Sequence, residues 1–147
     1  MDHAFAERFA ADWIDAWNAH DLERVLSHYA DDFEMSSPFI VQIAKEPSGT
    51  LRGKDAIGAY WSKALMLIPD LHFELIDVLA GVDSLVLLYK GARGRLAAEV
   101  FHFGGGRKVL KGARALRNLG ALPRVSESAL PLPSGKMVKY LPASIGA

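Results

Sequence analysis

Glu99 stands in the run Leu96-Ala-Ala-Glu-Val-Phe-His-Phe, where alternation puts it on one face with Ala97, Phe101 and Phe103. A carboxyl group on an apolar face is desolvated, which raises its pKa and lets it exchange a proton near neutrality. The same residues also fit a partly open face on which Glu99 pairs with Arg93 or Arg95. Asp77 falls by alternation among Leu71, Phe73, Leu75 and Leu79. It is a second candidate catalytic carboxyl, or else a strand-end residue bonded to a backbone amide or an arginine. Two such groups facing one cavity would support acid–base work on a small molecule. His72 and His102 are strand histidines that could shuttle a proton, or simply sit at the surface. Tyr29, Ser37, Tyr60, Trp61 and Tyr89 have polar tips that could orient a ligand carbonyl, with Trp13 and Phe101 as apolar wall. Each of these spacings also suits ordinary core packing.

Other chemistries lack their residues. There is no cysteine, so thiolate nucleophiles and disulfides are excluded. His20 and His28 lie across a helix break, and no His/Glu pair has metal-ligand spacing. Gly104-Gly-Gly lacks the following Lys-Ser/Thr and helix start of a phosphate cradle, and a hairpin turn accounts for it. Asp31-Asp32 lacks calcium-loop spacing, and no Gly-x-Ser-x-Gly is present. No metal and no cofactor are expected.

The elements that position these residues follow from periodicity. Phe5, Phe9, Trp13 and Trp17 recur every four residues, the mark of a helix face. Asn18-Ala-His-Asp breaks it, and Asp21 suits the N-cap of a second helix carrying Leu22, Val25, Leu26 and Tyr29. Short strands are expected over 33–37 and 39–43 with Pro38 between them, then a loop over 45–53. A third helix is expected over 54–67, ended by Pro69. Strands over 71–79, 85–90, 95–103 and 107–116 complete an α+β order, helices first and then an antiparallel meander. Residues 1–116 thus read as one domain. Residues 117–147, with four prolines and no steady period, read as an atypical extension.

Taken together, Trp17-Asn-Ala-His-Asp-Leu, Tyr29-Ala-Asp-Asp-Phe and Gly49-Thr-Leu-Arg-Gly-Lys-Asp-Ala-Ile resemble the SnoaL-like branch of the nuclear transport factor 2-like superfamily over about residues 5–112. The resemblance implies a cone: three N-terminal helices on a strongly curved, mostly antiparallel sheet, enclosing an apolar pocket. It also implies pairing as a homodimer. The ketosteroid isomerases of this superfamily use a strand carboxylate before a proline, a helix-one tyrosine and a later carboxylic acid. Those positions fall here on Ser37, Trp13 and Glu99. A serine hydroxyl cannot abstract a carbon-bound proton unaided, so that mechanism is disfavoured. The strand after Gly106-Arg-Lys-Val departs from the family pattern, and pocket residues it normally supplies are not assigned.

The chain has 147 residues, half of them apolar, with 17 basic and 17 acidic side chains. That is a globular composition with no charge bias toward nucleic acid or an acidic membrane. No secretory leader or membrane-length apolar run is visible, so a cytoplasmic location is expected. Two functions remain open. One is a cofactor-free isomerase, lyase or cyclase-type enzyme with Glu99 as acid or base on a small hydrophobic molecule. The other is a non-catalytic ligand-binding or accessory domain.

Overall fold

The computed structural model describes residues 1–117. The expected extension over 117–147 lies, beyond Arg117, outside the described residues.

Asp2 opens the first helix, α1 (His3–Asn18), by accepting a hydrogen bond from the Phe5 amide at 2.8 Å. Its four-residue apolar period buries Ala6, Phe9, Ala10, Trp13, Ala16 and Trp17. His20 takes a left-handed φ of 57° and ends the helix. Asn18 then clamps the chain 55 residues on: its amide donates to the Phe73 carbonyl at 3.0 Å, and its Oδ1 accepts from the Phe73 amide at 2.7 Å. The Asn-Ala-His break is therefore an anchor for residues 71–73 as well as a turn.

Helix α2 (Leu22–Leu26) is capped by Asp21 and is shorter than the sequence spacing suggested. Tyr29 was expected on its fourth position of burial but begins strand β1 (Tyr29–Ser36). The reason is local. The Ser27 hydroxyl bonds the Arg24 carbonyl at 2.6 Å, and the His28 carbonyl accepts from the Val109 amide at 2.9 Å, which starts sheet pairing at Tyr29.

The strand expected over 39–43 is instead a π-helical turn, Ile40–Ala44. Ser37 Oγ accepts from the Phe39 amide at 3.1 Å, and Ser37 O from the Ile40 amide at 3.0 Å. That hydroxyl-capped turn bends the chain inward where alternation alone would extend it. Strand β2 (Thr50–Arg52) then pairs antiparallel with β1 inside the expected loop. Helix α3 (Lys54–Leu67) begins at Gly53, whose φ of 93° suits a glycine. It buries Ile57, Tyr60 and Trp61.

Strands β3 (Glu74–Ala80), β4 (Ser84–Lys90), β5 (Leu96–Phe103) and β6 (Val109–Leu116) finish a six-stranded sheet of order β2-β1-β6-β5-β4-β3. Among the described residues only β1 and β6 run parallel, and the other pairs are antiparallel. Register breaks between Tyr29 and Glu34, Leu75 and Asp77, and His102 and Phe103 bend the sheet around the helices. The core between them is strongly aromatic. Trp13 lies 5.8 Å from Phe73 and edge-on to Tyr89 and Phe101, while Trp17 meets Trp61 edge-on at 5.1 Å. Each such pair adds about 1 kcal/mol beyond the area it buries.

Candidate functional site

Glu99 is fully buried, as alternation on β5 required. It is not a solitary acid, however, and neither Arg93 nor Arg95 is its partner. Directly opposite in the β5–β6 register stands Arg114. Its Nε donates to Glu99 Oε1 at 2.6 Å and its Nη2 to Oε2 at 3.2 Å, a two-point clamp. The Tyr89 hydroxyl, from β4, donates to the same Oε1 at 2.9 Å. Burial opposes the Arg114 charge, yet the facing Glu99 outweighs it and holds the guanidinium well above its ordinary pKa. Burial first, and then the Glu99 charge, push the Tyr89 hydroxyl well above the usual tyrosine value. Arg114 therefore stays cationic and Tyr89 stays a neutral hydroxyl.

Arg114 and Tyr89 belong to the wall of a cavity between α3, the π-helical turn and the sheet, together with Trp17, Tyr60, Trp61 and Phe73. The cavity holds about 40 Å³, room for a few waters. The Arg114 guanidinium lies 5.9 Å from the ring centres of both Trp17 and Phe73, within the outer reach of a cation–π contact. Arg95 is a second cation on the wall, held below the usual arginine value by burial. Among the described residues no carboxylate lines the cavity; Glu99 sits behind Arg114 and Tyr89.

The remaining sequence candidates divide. Trp61 and Tyr89 line the cavity. Trp13, Tyr29 and Phe101 are buried outside its lining, and Trp13 Nε1 donates to the Tyr29 hydroxyl at 2.9 Å. Burial, and secondly the Glu99 charge, raise the Tyr29 pKa, so this hydroxyl too is neutral. Ser37 is buried outside the lining and hydrogen-bonds Tyr60, which is on the wall. Burial raises Tyr60 as well.

Asp77 is exposed on β3 and its carboxylate accepts from the adjacent Val78 amide at 2.8 Å. The register break explains the misplacement. Leu75 faces Tyr89 but Asp77 faces Leu88, so the two lie on opposite faces, with Ile76 as the extra residue. His72 and His102 are exposed. Sequence reasoning missed Arg114, which stands in the strand whose pocket residues were left unassigned, and Trp17, which it read only as part of a buried helix face. Trp17 Nε1 and Trp61 Nε1 are buried with no acceptor among the described residues. No group of three His, Asp or Glu side chains converges to hold a metal among those residues.

The sheet order, the helices laid across it and the cavity they enclose describe the SnoaL-like class of α+β cones. The family model for the SnoaL-like domain matches residues 10–117, and the chain belongs to that family. It is similar to the crystal structure of a SnoaL-like protein of unknown function from Burkholderia thailandensis E264. The identity is 64% and the TM-score 0.77, over 80% of this chain and 98% of that one. AclR, a putative hydroxylase from Streptomyces galilaeus, shares the fold at 19% identity and a TM-score of 0.61, over 83% of this chain and 100% of that one. IdmH, a putative polyketide cyclase from Streptomyces antibioticus, does so at 18% identity and 0.62, over 78% of this chain and 93% of that one. A search of curated proteins found no match. No helix among the described residues is long and apolar enough to cross a membrane.

Proposed function

We propose that this SnoaL-like domain binds a small, mostly apolar molecule that carries one acceptor oxygen, and that Arg114 receives that oxygen. The carrying observation is the wall itself: a guanidinium flanked by aromatic rings, with its Nε and Nη2 held by Glu99. A preorganised cation in an apolar setting favours a carboxylate, phenol or polarised carbonyl over a hydrocarbon of the same shape. Tyr89 spends its proton on Glu99, so its oxygen faces a ligand as an acceptor only.

In this reading Glu99 positions Arg114 and does not touch the ligand. Proton abstraction needs a base within hydrogen-bond reach of the substrate. The described part of the wall offers two cations and neutral hydroxyls instead. Binding is therefore preferred to acid–base catalysis by Glu99 with Asp77. The names of AclR and IdmH point to small-molecule chemistry in those proteins, which supports an occupant of that size here. We also propose a homodimer, supported by exposed Leu75, Ile76 and Leu79 on β3; sedimentation velocity at micromolar protein should return twice the chain mass.

Trp17 and Trp61 in the wall supply a reporter. Titration with cyclic carboxylates, phenols and ketones should give saturable changes in tryptophan emission. A hydrocarbon of equal size should bind at least about tenfold more weakly, the loss of one charge-assisted hydrogen bond. Equal binding of the hydrocarbon would remove Arg114 from the explanation.

A further inference from the structure

A second concavity lies toward the N-terminal end of α1 and shares no lining residue with the cavity above. It is a recess of about 300 Å³ lined by Phe5, Arg8 and Phe9 of α1, Ser27 and His28 before β1, and Arg107 and Lys108 of the β5–β6 turn. The α1 residues share a face because they are three and four apart. Three fixed cations converge on it, and their partners leave a positive surplus. Among the described residues Arg107 forms an ion pair with Asp2 alone, at 3.6 Å, and Lys108 Nζ donates to the neutral Ser27 carbonyl at 2.6 Å. Arg8 forms no ion pair among the described residues, its nearest influence being a long-range one on Asp2.

The recess also has an apolar floor. Phe5 packs against Phe9 at 6.0 Å, and Phe9 stacks edge-on with His28 at 4.8 Å. Arg107 lies 4.5 Å over the Phe5 ring, a cation–π contact between the β5–β6 turn and α1. Its backbone is in the left-handed region, with φ at 60°, although three glycines directly precede it. A non-glycine residue pays about 1 kcal/mol for that conformation. Behind His28, Asp12 accepts from the ring at 2.7 Å and also pairs with Arg24, so that carboxylate is spent away from the three cations.

We infer that this recess is a second binding site, for an oxyanion carried on a flat apolar body. The phenyl-type ring would lie against the half-buried Phe5 side chain beside Arg107, and the carboxylate or phosphate would sit among Arg8, Arg107 and Lys108. Neither the cavity nor the Glu99–Arg114 pair takes part.

His28 is the local reporter. Burial chiefly lowers its pKa; Asp12 raises it, and the charges of Lys108 and Arg24 lower it further. An anion bound beside it must shift its titration to higher pH. The test follows the His28 ring protons by NMR while full-length protein is titrated with phenyl phosphate, benzoate and inorganic phosphate in low salt. Phenyl phosphate and benzoate should each saturate and raise the His28 midpoint. Arg8→Gln and Arg107→Gln, both at the surface, should each weaken binding by about tenfold. Tighter binding of phenyl phosphate than of inorganic phosphate is expected from the aromatic floor. No saturation, an unmoved His28 midpoint, or unchanged affinity in both variants would overturn the inference. So would inorganic phosphate binding as tightly as phenyl phosphate.

Discussion

Replacing Glu99 with glutamine should be among the most damaging single changes in the domain, and the reason is Arg114 rather than Glu99. The carboxylate is fully buried and the Arg114 side chain is 9% exposed, so loss of the partner leaves a largely buried cation uncompensated. Leaving one member of a buried pair uncompensated costs about 3–5 kcal/mol. For a domain of this size that is a fall of roughly 12–20 °C in Tm. Removing the whole polar set should behave differently. Glu99→Leu with Arg114→Met deletes both charges, and Tyr89→Phe removes the hydroxyl that would otherwise lose its acceptor. That triple variant should unfold within about 1 kcal/mol of wild type, because apolar side chains of similar volume avoid the desolvation of both ions. Urea unfolding at pH 7, followed by circular dichroism and tryptophan emission, reads both values. Half-molar salt should change them little, since the pair is shielded from solvent ions. A Glu99→Gln loss under about 1 kcal/mol, or a triple variant as unstable as the single one, would refute the clamp as the organising contact.

Other consequences are independent of that pair. Tyr89→Phe alone should cost about 2 kcal/mol in the same urea assay, the value of a buried hydrogen bond to a charged acceptor. Asp77→Asn should change stability by less than about 0.5 kcal/mol and leave ligand titrations unchanged, because the side chain is exposed on β3; loss of binding in that variant would restore Asp77 to the site. His28 is half-buried, which holds its pKa below the ordinary 6.5, so the unfolded chain takes up its proton first as pH falls. Its contribution to stability is complete above pH 6.5 and is lost as pH drops from there to the folded value; His28→Gln should flatten that slope in pH-dependent urea curves. Finally, cyclic ketones incubated with the protein in deuterium oxide should exchange their α-protons no faster than in buffer, as read by proton NMR.

Much of the scaffold was legible in the sequence because single periodicities dictate it. The Phe5–Phe9–Trp13–Trp17 spacing gives α1 its buried face, and helix α3 runs as expected over 54–67. The alternation around Glu99 correctly buries it. The failures fall where a bulge or a hydroxyl overrides the period. Counting back from the Phe103–Val109 pair across the Gly104–Lys108 turn would set Glu99 opposite Ala113. The break at His102 moves the register by one residue and brings Arg114 there instead. A bulge of that kind has no composition signature, so the central ion pair could not be read from the sequence. The same holds at Ile76, where an extra residue turns Asp77 outward. Ser37 was noticed for chemistry, yet its hydroxyl caps the turn that replaces a strand and steadies Tyr60 on the cavity wall.

The most direct test of Arg114 as the ligand anchor is a tryptophan-emission titration with cyclohexanecarboxylate. It compares wild type with the Glu99→Leu, Arg114→Met, Tyr89→Phe variant after folding is verified by circular dichroism. A saturable change in wild type that falls by at least about tenfold in affinity in the folded variant is the predicted result. Equal affinity in both proteins, or no saturable change in wild type, would contradict it.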